Sequence, residues 1–235
     1  MLVFGDQLNT SISALASASP ASHRVLMVES ALIDKFTHPL DWERAIYDTI
    51  MLDESVRVAK QWAAKHPDTL IMVTPDHTHA ISVVGTVDDD AKGELMRDKV
   101  GVYADAGHPT YTHGQGLPYP DRVDVSKRLF MTIGDYPDHY ETWRPKLDGT
   151  FVPAIKGADG LYVANETLKE VPGAQFMPGN LPRDAADGVH AADDGVITAT
   201  GPGSELFHGF MENTEVFRVM ATALALGAKP AAKSK

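Results

Sequence analysis

The stretch VTPDHTHA, residues 73–80, places Asp76, His77 and His79 directly after an apolar run. Two other stretches carry side chains of the same type. VESALIDKFTH, residues 28–38, contains Glu29, Asp34 and His38, and DGVHAADDGVITATGPG contains His190. The chain has no cysteine, so disulfides and thiolate metal sites are excluded, and any metal centre must be built from His, Asp and Glu. Asp and neutral His suit Zn²⁺, whereas a Glu among oxygen neighbours suits the harder Mg²⁺. Taken singly, each stretch has an ordinary reading. An Asp-His pair often caps or decorates a surface, a loop histidine is often only solvated, and acidic residues near a helix start favour the helix dipole. Taken together they amount to more ligands than one tetrahedral ion needs, a set suited to a metal cluster.

The elements that must position them alternate at first. Residues 24–29, RVLMVE, read as a buried strand. Residues 41–66 read as a helix with Ile46, Leu52, Val56, Ala59 and Ala63 at helical spacing, closed by Pro67. TLIMVT, residues 69–74, gives a second strand. Strand, helix, strand is a βαβ unit and implies a parallel sheet. Its two strand-end loops emerge on one sheet edge, where ligands gather in such sheets. Residues 91–188 are rich in Gly, Pro, Asp and aromatics and read as a loop-rich insertion. A strand over 195–200, a Gly-Pro-Gly turn at 201–203 and a helix over 213–226 capped by Gly227 follow, and 228–235 reads as a disordered tail.

Composition narrows the function classes. With 235 residues, 43% hydrophobic and 23% charged, the chain has the balance of a globular protein. A net charge of −11 argues against non-specific binding to nucleic acid or an anionic membrane. No run of about twenty apolar residues predicts a membrane span, and MLVFGDQLNT lacks the basic start and apolar core of a signal peptide.

The spacing E-x4-D-x3-H in VESALIDKFTH, then VTPDHTH, then VHAADDGVITATGPGSELFHG, resembles alkaline phosphatase, with motif order and context kept over nearly the whole chain. The resemblance implies an α/β fold of the alkaline phosphatase kind: a partial, mostly parallel central sheet flanked by helices, with 1–235 forming a single partial domain and 91–188 inserted within it. It implies Asp34, His38 and His190 as ligands of a first zinc, Asp76 and His77 as ligands of a second, and Glu29 as a magnesium ligand. His79 would orient a zinc-bound carboxylate from behind. The activity implied is hydrolysis of phosphate monoesters: one zinc activates a serine, the other stabilises the departing alkoxide, and water cleaves the phosphoseryl intermediate. In the family that serine, a phosphate-binding arginine and an aspartate bridging two metal sites lie upstream of these motifs, and Ser30 and Ser204 do not share the serine's context. The chain therefore reads as an alkaline phosphatase or as a metal-binding, catalytically inactive fragment. It could also be half of a split enzyme, or fold and act alone with a rearranged site. A homodimer or association with an N-terminal half, and a periplasmic or extracellular location, are implied by resemblance alone. His108 and His113, and Asp88 to Asp90, read as polar turns, and Tyr136, Tyr140 and Trp143 as packing residues.

Overall fold

The computed structural model describes residues 11–14, 24–88, 90–101, 127–141 and 149–226. Trp143, His108, His113, Gly227 and the expected tail lie outside them.

Among the described residues helices and strands are mixed, and every strand pairing is antiparallel. This corrects the expected mostly parallel sheet. Residues 24–29 do not form a strand, and Val25 and Met27 are 61% and 86% exposed. A strand requires a neighbour for its N–H and C=O groups, and apolar sequence alone does not supply one. The expected second strand does form, as β1 (Ile71–Val73), but its partner is β11 (Thr198–Thr200), running antiparallel with Met72 opposite Ala199.

Helix α1 spans Leu32–Thr37, and α2 spans Trp42–Ala63, close to the helix expected over 41–66. Asp41 starts α2: its carbonyl accepts from Ala45 N at 3.1 Å and its carboxylate from Arg44 N at 3.3 Å, the bonds of an N-cap. A third helix, α3 (Asn213–Ala223), opens with a capping box in which Glu212 and Glu215 exchange side-chain and backbone bonds.

The described residues divide into two compact units. One comprises those within 30–51 and 78–192, the other those within 1–29, 52–77 and 193–235. The first unit holds a two-stranded ladder of β2 (Thr78–His79) and β10 (His190–Ala191). It also holds a three-stranded sheet in which β3 (Ile81–Asp88) lies between β4 (Val100–Gly101) and β5 (Lys127–Ile133). β6 (His139–Glu141) pairs β9 (Gln175–Met177), and β7 (Ala154–Lys156) pairs β8 (Tyr162–Ala164). So the segment expected to be loop-rich contains much of the strand structure. Apart from β5, which pairs with β3 over seven residues, its ladders are only two or three residues long, too short for a periodic signal. A small core gathers Tyr140, Ala164 and Leu168, with Phe151 and Ala174 packed against them. The second unit holds the β1–β11 ladder and α3, none of whose residues is buried.

Candidate metal centre

In helix α1 the spacing of Asp34 and His38 puts them one turn apart on the same face. His38 closes the helix, its N–H bonded to Asp34 O at 3.1 Å, while Thr37 Oγ1 donates to Ile33 O at 2.7 Å. The other two histidines come from the β2–β10 ladder, where His79 and His190 are direct cross-strand partners. Residues opposite one another in an antiparallel pair point to the same side. Although 111 positions separate residues 79 and 190, the ladder brings their rings together, with centroids 5.1 Å apart.

Helix and ladder meet at one carboxylate oxygen. Asp34 Oδ1 lies 3.1 Å from His38 Nε2, 2.9 Å from His79 Nε2 and 3.3 Å from His190 Nε2. One ligand atom from each of the four residues falls within 4.8 Å of all the others. A tetrahedral zinc with bonds of about 2.0–2.1 Å spaces its ligand atoms by about 3.4 Å, so the set has the scale of a single ion site.

Proton accounting supports that fit. A carbonyl can only accept, so the 2.7 Å contact between His38 Nδ1 and Gly188 O fixes the proton on Nδ1. With Nδ1 so engaged, His38 Nε2 faces Asp34 Oδ1: as imidazolium it donates to the carboxylate, and as the neutral ring it presents a lone pair that a cation can take. His190 Nε2 lies 3.1 Å from the same His38 Nε2, a second nitrogen aimed at the same point. The carboxylate likewise makes His79 the donor in their contact. His79 is the least exposed of the four side chains, at 11%.

Burial pushes the Asp34 carboxyl upward, but hydrogen bonds from His79 and Lys35 and the charges of His38 and Lys35 outweigh it, holding the group below the usual carboxylate range. Asp34 is therefore an anion wherever a metal would bind. Burial is also the largest influence on His79, pushing it below the ordinary imidazole value against the Asp34 bond that raises it.

The remaining expected ligands fall in the other unit. Asp76 and His77 are adjacent to each other: Asp76 Oδ1 accepts from His77 N at 3.1 Å, and His77 Nε2 lies 3.6 Å from Asp76 Oδ2. The Asp76 side chain is 87% exposed. Glu29 is exposed. Gly188 is a residue the motif spacing does not single out. Its carbonyl holds His38 Nδ1 and its N–H donates to His38 O at 2.8 Å, so it ties α1 to the start of β10. The only trace in the sequence is a glycine two positions before His190.

Comparison with known proteins gives a consistent family. The family profile described as alkaline phosphatase matches residues 6–113. The tissue-nonspecific alkaline phosphatase of Gallus gallus is 25% identical over 204 residues, covering 86% of this chain and 31% of that protein. Alkaline phosphatase of Escherichia coli K12 is 44% identical over 59 residues, which is 25% of this chain and 12% of the relative. A streptomycin-6-phosphate phosphatase of Streptomyces griseus is 32% identical over 112 residues, covering 43% of this chain and 24% of the relative. Among solved structures, a mutant TAB5 alkaline phosphatase with magnesium bound covers 94% of this chain and 41% of its own, at 20% identity and a TM-score of 0.48. The chain spans about a third of the length of the longest-matching relatives, 31% of the Gallus gallus protein and 33% of alkaline phosphatase 4 of Drosophila melanogaster.

Proposed function

Because the chain belongs to the alkaline phosphatase family, we propose that it provides the metal centre for hydrolysis of phosphate monoesters. Asp34, His38 and His190 would hold one zinc ion, with His79 orienting Asp34. The observation that carries this reading is the convergence of His38, His79 and His190 on Asp34 Oδ1, all within 3.3 Å. A zinc ion there would supply Lewis-acid stabilisation to a phosphoryl group.

The chain's own residues do the positioning. Gly188 O keeps the His38 proton on Nδ1 and leaves Nε2 free to bind. His79 Nε2–H donates to Asp34 Oδ1 and sets the direction of the carboxylate, as outer partners of metal ligands commonly do. Asp76 and His77 are proposed to hold a second zinc ion and Glu29 a magnesium ion. Two donors do not complete a zinc site, so that second ion requires ligands beyond the pair. A periplasmic or extracellular setting belongs to the same proposal; among the described residues no helix is long and apolar enough to cross a membrane.

One observation favours a second reading, in which the chain is the metal-holding part of a larger assembly. Residues 25–28 are four consecutive apolar residues between 38% and 86% exposed, and a contiguous apolar surface commonly marks a contact. Hydrolysis of p-nitrophenyl phosphate at alkaline pH, with Zn²⁺ and Mg²⁺ supplied, separates the two readings. Activity that vanishes when His77 and His190 are both changed to alanine supports a working site in this chain. Zinc binding without hydrolysis supports the metal-holding part, and neither binding nor hydrolysis contradicts both.

A further inference from the structure

We propose that Asn180 is a positioning residue for the metal centre, bracketing the loop that leads to His190 onto the turn that follows β5. This rests on the metal-centre reading above and adds to it a residue outside the cluster of Asp34, His38, His79 and His190.

The bracket uses every polar group Asn180 has to offer except its own carbonyl. Its backbone N–H donates to Tyr136 O at 3.0 Å, its side-chain Oδ1 accepts from Tyr136 N at 2.9 Å, and its Nδ2 donates to Gly134 O. The amide orientation follows from the partners, since a backbone N–H needs the oxygen and a carbonyl needs the nitrogen. Only Asn fits both demands at this length: Ala offers neither bond, and Asp would set a carboxylate oxygen against the Gly134 carbonyl.

The residue before it makes the approach possible. A Cβ on Gly179 would lie 2.5 Å from Asp138 N and 2.8 Å from Tyr136 O, closer than side-chain atoms tolerate, so only glycine lets the two backbones meet. Gly179 N also donates to Asp138 Oδ1 at 2.6 Å. Gly179 and Asn180 together dock one chain segment on the other over residues 134–138.

Both ends of this dock lead to the ligands. Gly134 N donates to the carbonyl of Ala80, the residue after His79, at 2.7 Å, so the residue whose carbonyl Asn180 grips is itself bonded to the chain just after His79. On the other side, the chain runs from Asn180 to Gly188, whose N–H and C=O are held by His38, and then to His190 opposite His79. Gly188 lies against Asp135, where an added Cβ would be 3.0 Å from the Asp135 carbonyl oxygen. The loop to His190 is thus fastened at both ends, to the turn after β5 by Asn180 and to α1 by Gly188. Loss of the Asn180 side-chain bonds removes the tie to Gly134 and Tyr136 N and leaves His190 located by the Gly188 bonds to His38 and a two-residue ladder.

The test compares the wild-type chain, Asn180→Ala and Leu168→Ala. The last variant destabilises the core of Tyr140, Ala164 and Leu168 without removing an Asn180 bond, and controls for a general loss of stability. Two readouts are taken: Zn²⁺ affinity by competition with a chelator, and the ring ¹⁵N–¹H resonances of the histidines in the metal-free protein. The expected result is a ~10-fold or greater loss of zinc affinity in Asn180→Ala, on the scale of lost outer partners. His190 and His79 ring resonances should be displaced in that variant and unchanged in Leu168→Ala. Wild-type affinity and unmoved rings in Asn180→Ala would overturn the proposal while leaving the metal centre standing, as would equal losses in both variants. If the wild-type chain binds no zinc, the metal-centre reading fails, and the metal-free ring resonances alone decide whether Asn180 places the histidines.

Discussion

Asp34 Oδ1 is the point that three imidazole nitrogens share, so the candidate site depends more on that atom than on any single ring. Asp34→Asn, which keeps the shape and removes the charge, is expected to weaken Zn²⁺ binding by more than about 100-fold in a chelator competition. His79→Ala should cost less, ~10–100-fold, because that ring acts on the ion through Asp34. The reverse ranking would make His79 a direct ligand and displace Asp34 from the centre. At this scale the sequence was informative where spacing is local. Asp34 and His38 are four apart on a helix, and that periodicity places them on one face without tertiary information. The contribution of Gly188 was not legible, because it acts through backbone groups that every residue carries.

Elements bring the distant pair together, and they were only partly readable. Helix α2 was legible from its apolar spacing and from Asp41 and Pro67 at its ends, and β1 from its apolar run. The β2–β10 ladder was not, since two residues per strand leave no alternation to detect. The supporting strands carry their own pH dependence. On β6, burial pushes the Glu141 carboxyl up to about 7, and its side chain is 16% exposed with His139 Nε2 3.9 Å away. The folded chain therefore holds a proton that the unfolded chain releases at its ordinary value of 4.5. Between those two values the native state binds more protons, so stability falls as pH rises from about 4.5 to 7 and is level above, by about 3 kcal/mol at most. Thermal melts across that range should show the decline, and Glu141→Gln should flatten it. An unchanged decline in that variant would place its origin elsewhere. In the same unit Leu168, 4% exposed in the core with Tyr140 and Ala164, should lose about 2–5 kcal/mol on truncation to alanine, read by urea unfolding.

At the scale of the whole molecule, the expectation of a parallel sheet failed for an identifiable reason. RVLMVE has the composition of a strand buried on both faces, yet residues 24–29 do not form one, and Met27 is 86% exposed. Composition reports what a segment is suited to, whereas pairing depends on which chain lies next to it. Met27→Lys should leave the unfolding free energy within about 0.5 kcal/mol, as exposed substitutions usually do, while lowering the binding of an apolar dye. A large loss of stability would mean that the segment packs against something in solution. The family was legible because three motifs keep their order across most of the chain, and sequence similarity to alkaline phosphatases bears this out over 86% of it. The central claim is that Asp34, His38 and His190 hold a zinc ion while His79 orients Asp34, and zinc titration of the purified chain tests it most directly, beside a variant with His38 and His190 both changed to alanine. The account predicts tight zinc binding by the wild type that is lost in the variant. Equal zinc affinity in the two proteins would contradict it.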